Sequence, residues 1–143
     1  MSIREIQEEI IEEFEMFDDW MAKYEYLIEL GKSLSLIQEC YKTDDNLIKG
    51  CQSRVWLHAE MRGGQLVFTA DSDAIITKGL VALMTRVLSD HTPDEIINTE
   101  LYFIDRIGLK DHLSPTRSNG LLSMIKQMKM YALAYKAQQL KDN

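Results

Sequence analysis

At the start of the chain Ile3, Ile6, Ile10, Phe14 and Phe17 recur at helical spacing, and Glu8, Glu9, Glu12, Glu13 and Glu15 take the other side. That pattern predicts an amphipathic helix with a solvated acidic face. Ser2 and Glu5 form a capping box at its N-terminus. A second helix carries Trp20, Tyr24, Leu27 and Ile28, opened by Asp18 or Asp19 and closed by Gly31 just past its end. From Lys32 to Gly50 the periodicity fails. Leu34, Leu36 and Ile37 predict one short helical turn, and Thr43-Asp44-Asp45-Asn46 a tight turn. Long irregular connections in compact domains are usually functional when ordered. This one delivers the chain to Gly50-Cys51.

The strongest local signal follows. Val55, Leu57, Ala59 and Met61 alternate with Trp56, His58, Glu60 and Arg62, then Gly63-Gly64 turns the chain back into Gln65-Leu66-Val67-Phe68-Thr69-Ala70. A two-residue turn sets Met61 opposite Leu66, Ala59 opposite Phe68 and Leu57 opposite Ala70, so both strands share one apolar face. Carried backwards, the same alternation places Ser53 and Cys51 on that face. Asp71-Ser72-Asp73 is expected to cap a helix that is apolar over most of its circumference, from Ala74 to Leu88. Gly79 in its middle costs about 1 kcal/mol against alanine, so a neighbour is expected to pack closely there. Thr92-Pro93-Asp94-Glu95 is a capping box with proline at the first helical position. Leu101, Ile104 and Ile107 predict a further short helix closed by Gly108; the alternative for residues 98–103 is a strand. Residues 113–120 read as a polar turn into a last helix with Leu121, Met124, Ile125, Met128, Ala132 and Tyr135 on its buried stripe. The elements define one α+β domain over residues 1–143, a small antiparallel sheet with a Gly-Gly hairpin packed against helices.

Charge and composition narrow the partners. The chain has 143 residues and a net charge of −7, which argues against nucleic acid and anionic membrane surfaces. No apolar run approaches a bilayer span, and the N-terminus lacks the apolar segment of a signal peptide, so the cytoplasm is the expected location. Cys40 and Cys51 form no CxxC pair, and His58, His91 and His112 lack ligand spacing, so neither a metal nor a cofactor is expected. No phosphate-binding loop, dinucleotide fingerprint or nucleophile elbow is present.

Chemistry therefore converges on Cys51. Gly50 before it permits a tight backbone, and Lys49 and Arg54 nearby would lower the thiol pKa. The residues alone leave three readings open: a thiol that accepts and passes on a group, a Cys-His enzyme, and a small buried hydrophobe.

The stretch from Asn46 to Leu57, centred on Gly50-Cys51-Gln52-Ser53-Arg54-Val55-Trp56, resembles the signature of the SufE family, sulfur acceptors of cysteine desulfurases. Asp71-Ser72-Asp73-Ala74, Lys78-Gly79-Leu80 and Leu113-Ser114-Pro115-Thr116-Arg117-Ser118-Asn119-Gly120-Leu121 match its other characteristic stretches in order. The loop lacks the prolines often found before the family's cysteine, and Cys40 lies outside the pattern. The resemblance implies a fold related to the IscU scaffold. It implies a protein that is not itself an enzyme: a pyridoxal-phosphate desulfurase (SufS-like) would pass persulfide sulfur to Cys51, which would deliver it to an iron–sulfur scaffold. Gly50, Gln52, Asp73 and Arg117 are the implied desulfurase-facing residues. The alternatives are an autonomous cysteine-dependent transferase or hydrolase, and a carrier for a different sulfur pathway. Oligomeric state, a homodimer included, is left open, as are the cognate desulfurase and final acceptor.

Overall fold

In the computed structural model, which describes residues 1–142, the hairpin is where the alternation puts it: β1 (Val55–Arg62) and β2 (Gln65–Ser72) pair antiparallel, with Met61 opposite Leu66, Ala59 opposite Phe68 and Leu57 opposite Ala70. The turn glycines adopt φ of 57° and 82°, the left-handed values that a hairpin of this length needs. One sheet face is buried through Val55, Leu57, Ala59, Leu66, Phe68 and Ala70. Around it run α1 (Ile3–Glu15), α2 (Trp20–Lys32), α3 (Ile75–Leu88), α4 (Pro93–Asn98), α5 (Phe103–Arg106), α6 (Leu109–His112) and α7 (Pro115–Asp142). The fold is α+β, as its elements predict.

Helix α3 is the centre. Its buried residues run from Thr77 to Leu88 almost without interruption, and it packs against α1, α2, α7 and β2. Both capping boxes form, Ser2 with Glu5 on α1 and Thr92 with Glu95 on α4, and Asp19 caps α2. On α7 the stripe Leu121, Met124, Met128 and Ala132 is buried, with Ile125 and Tyr135 partly so. Arg86 of α3 donates to Glu9 and Glu13 of α1, and Tyr26 of α2 donates to Glu13. Burial, then the Glu13 carboxylate, push the Tyr26 hydroxyl up to about 12.

Several local expectations are corrected, each for a tertiary reason. Gly31 lies inside α2, where its missing side chain admits α3: a Cβ there would stand 3.1 Å from the Gly79 nitrogen. Residues 35–37 form no helical turn; Ala70 donates to the Ser35 carbonyl and Ile37 to the Ala70 carbonyl, adding a short parallel bridge to β2. Asp71 and Asp73 do not cap α3, whose N-cap Ala74 has no side-chain bond. Asp71 instead pairs with Lys42 at 2.8 Å and Lys78 at 3.4 Å. Residues 98–103 are not a strand, and Gly108, at φ 76°, ends α5 and opens α6. The polar run at 113–120 is mostly helix: Pro115 is the first residue of α7, and the Ser114 hydroxyl accepts from the Arg117 amide.

Among the described residues the Thr85 hydroxyl is the buried side-chain group with no hydrogen-bond partner. Thr85→Val keeps the shape and removes that unsatisfied group, so it is expected to stabilise the protein by about 1 kcal/mol in urea unfolding. A loss of stability would show that the hydroxyl is bonded in solution.

Candidate functional site

The chain before Cys51 is a closed loop with an anchored base. Ile48 donates to the Val55 carbonyl at 2.9 Å and Leu47 bridges to Trp56, so residues 49–54 form the tip of a small hairpin on β1. Gly50 turns the tip at φ 94°; a Cβ there would stand 2.5 Å from the Ser123 hydroxyl of α7. On the far side the Arg54 amide donates to the Asp73 carboxylate at 2.9 Å, and the Asp73 amide donates back to the Arg54 carbonyl at 3.3 Å. Ser53 donates to the Thr77 hydroxyl at 3.1 Å, tying the tip to α3.

Cys51 itself is half-buried and packed against the edge of the core. Its thiol donates to the Gly120 carbonyl at 3.6 Å. Gly120 sits in the second turn of α7, and a Cβ on it would stand 3.4 Å from the sulfur, so the glycine leaves room for the thiol. The thiol faces a cavity of about 470 Å³ whose walls include Ser53, Thr77, Leu80, Arg117 and Met124. Burial pushes the Cys51 thiol up. That is opposite to the shift expected from Lys49 and Arg54, because both cationic side chains are exposed and neither lines the cavity. The strand does not extend back to Cys51, but the thiol still reaches the core side that alternation assigned to it.

Of the residues singled out in the sequence, Cys51, Gln52 and Arg117 meet at the same cavity, although Arg117 is distant in the chain. Gly50 and Asp73 do not line it; they shape and pin the loop. No histidine lines it either. His58 stacks on Tyr41, His112 stacks on Trp20, and His91 is buried between the carbonyls of Ser89 and Met1. A Cys-His dyad therefore has no base here. Cys40 is exposed, and both cysteines are free. Among the described residues no group of three or more His, Cys, Asp or Glu side chains could hold a metal ion, and no helix is long and apolar enough to cross a membrane. Sequence reasoning missed Thr77, Gly120 and Ser123. Gly120 read as the end of a polar turn and not as a residue inside α7, and the contacts of the other two depend on how α3 and α7 converge on the loop.

The architecture has a solved counterpart: the solution structure of a hypothetical protein from Thermus thermophilus superposes with a TM-score of 0.75 over 90% of this chain and 94% of that one, at 17% identity. The match defines the fold class and nothing more. The family model described as "Fe-S metabolism associated domain", SufE, matches residues 8–132. The chain belongs to the SufE family, and that membership places it in iron–sulfur metabolism. An uncharacterized SufE-like protein of Rhizobium meliloti (strain 1021) is 40% identical over 87% of this chain and 93% of its own length. SufE-like protein 1, chloroplastic/mitochondrial, of Arabidopsis thaliana is 41% identical over 88% of this chain. The chain spans 34% of that plant protein.

Proposed function

We propose that this protein accepts sulfur from a pyridoxal-phosphate-dependent cysteine desulfurase onto Cys51 and passes it on for iron–sulfur cluster assembly. The observation that carries the reading is the Cys51 thiol, half-buried against the Gly120 carbonyl at a cavity with no histidine. A carrier needs a sheltered nucleophilic sulfur and a partner; it needs no base of its own.

The transfer balances without an external oxidant. The Cys51 thiolate attacks the terminal sulfur of the desulfurase persulfide, a new S–S bond forms, and the donor S–S bond breaks. The donor leaves as a thiolate and takes up the proton that Cys51 gave up. The product is a Cys51 persulfide and a restored donor thiol. A raised thiol pKa keeps Cys51 protonated and quiet in the free protein. Reaction then requires the loop to swing out about Gly50, with the Arg54–Asp73 bonds as the latch to release. Gln52 and Arg117 at the cavity rim would meet the desulfurase. The chain acts as a carrier and activator with no turnover alone, and the reducing cytoplasm suits its two free thiols.

The test is mass spectrometry after incubation with a desulfurase and L-cysteine. The expected product gains one sulfur atom, mapped to the peptide containing Cys51. An unmodified Cys51 beside an active desulfurase that persulfidates other members of the family would overturn the reading.

A further inference from the structure

The solvent side of α7 carries a row of large apolar side chains. Opposite its buried stripe stand Leu122, Met130, Leu133 and Leu140, between 51% and 69% exposed. With Asn119, Lys126 and Ala137 they follow steps of three and four residues, the spacing of one face of a helix. The row runs about 27 Å from Leu122 to Leu140, at 1.5 Å per residue, with Lys126 and Ala137 between its large apolar side chains. Single exposed leucines are ordinary, but a row of this length along one helix marks a contact surface.

Charge identifies what fits it. Helix α7 holds five of the chain's 16 basic residues and one of its 23 acidic residues, so the remainder of the chain carries 22 acids against 11 bases. Lys126 lies within the row and Lys141 follows Leu140, both exposed. A second copy seated here would bring lysines against lysines. The acidic helix faces that could answer them offer little to bury: Glu8, Glu9, Glu12 and Glu15 of α1 have no large apolar neighbour until Met16, and on α2 Glu25 and Glu29 accompany one exposed large apolar side chain, Met21. An anionic membrane is a wide plane and would meet the acidic remainder as well. A slender acidic helix meets α7 and, beside Lys126 and Met130, the edge of the 45–49 loop, and leaves the acidic remainder uncovered.

We infer that the outer face of α7 docks an amphipathic helix of a partner protein, with apolar residues on its seam and Asp or Glu along its flanks. Its near end lies beside the Cys51 loop, because Gly120 touches Cys51 and Ser123 lies under Gly50. A partner seated there is held with one end at the site, whether or not Cys51 carries sulfur. The interaction does not rest on the sulfur-transfer reading.

The test uses the full chain with Cys51→Ser, which removes thiol chemistry from the readout. Two fluorescent synthetic helices carry the same leucine seam, one flanked by Glu and the other by Lys, and binding is followed by anisotropy and by amide shifts on α7. The Glu-flanked helix should bind at least tenfold more tightly. Lys126→Glu with Lys141→Glu should reverse that preference, and Leu133→Ser should abolish binding by both. Equal affinity for the two helices, or binding to neither, would overturn the inference. So would sedimentation as a dimer that Leu133→Ser dissolves, or a Leu133-dependent association with phosphatidylglycerol vesicles.

Discussion

Gly79→Ala is expected to destabilise the protein by about 3 kcal/mol and to lower its melting temperature by roughly 10 °C. By helix propensity alone the substitution should stabilise by about 1 kcal/mol, since glycine is a poor residue inside a helix. Packing reverses the sign. A Cβ at this position would lie 2.3 Å from the Leu27 carbonyl oxygen and 2.8 Å from its carbon. Both atoms belong to the backbone of α2, so no side chain can rotate away. The helices would have to part, and α3 is the element on which α1, α2, α7 and the sheet converge. Gly31 on the facing helix is less tight, with a Cβ at 3.1 Å from the Gly79 nitrogen, so Gly31→Ala should cost less than half as much. The two changes act on one helix spacing. Once Gly79→Ala has parted the helices, adding Gly31→Ala should cost less than it does alone. Urea unfolding followed by circular dichroism reads all three variants. An increase in stability for Gly79→Ala would show that propensity governs and that the crossing is looser.

What could be read in the sequence follows from how local each determinant is. The hairpin register rests on alternation and a two-residue turn, so Ala59 opposite Phe68 was fixed by residues close in the chain. Gly79 was also legible, because a glycine in the middle of an apolar helix signals a close neighbour. Its partner Gly31 was not: a glycine near the end of a helical pattern looks like a terminator, and only the approach of α3 shows otherwise. Asp71 and Asp73 misled for the same reason. Their position before a helix favours capping, but Lys42, Lys78 and the Arg54 amide compete for the carboxylates and are brought there by the fold. At the site, Cys51 stood out as a thiol in a polar loop, and Arg117 through the resemblance to the SufE family. The sign of the thiol's pKa shift did not, because neighbours in sequence predicted a cationic environment and the backbone turns those side chains to solvent.

That sign has a measurable consequence. In a Cys40→Ser background, which leaves one thiol, Cys51 should react with iodoacetamide at pH 8 at least tenfold more slowly in the folded protein than in urea. Two effects act together: the sulfur is half-buried against Gly120, and burial raises its pKa, so less thiolate is present. The folded-state rate should therefore still be climbing with pH where the unfolded thiol has levelled off. Gly50→Ala should accelerate labelling roughly tenfold. Its φ of 94° is costly for any residue with a side chain, and the added Cβ would stand 2.5 Å from the Ser123 hydroxyl. Ser123 can rotate, so most of the penalty is backbone strain, and about 1.4 kcal/mol against the closed loop corresponds to a tenfold change in its opening. If Gly50→Ala labels no faster, the loop does not hinge there. The same shift sets the direction of linkage. The folded pKa lies above the unfolded one, so the contribution of the neutral thiol is complete below the unfolded thiol's pKa of about 8.5. It is lost as pH rises from there through the folded value. Relative to Cys51→Ser, the wild-type protein should therefore lose stability on the alkaline side and on no other, and pH-dependent unfolding of the two proteins measures it.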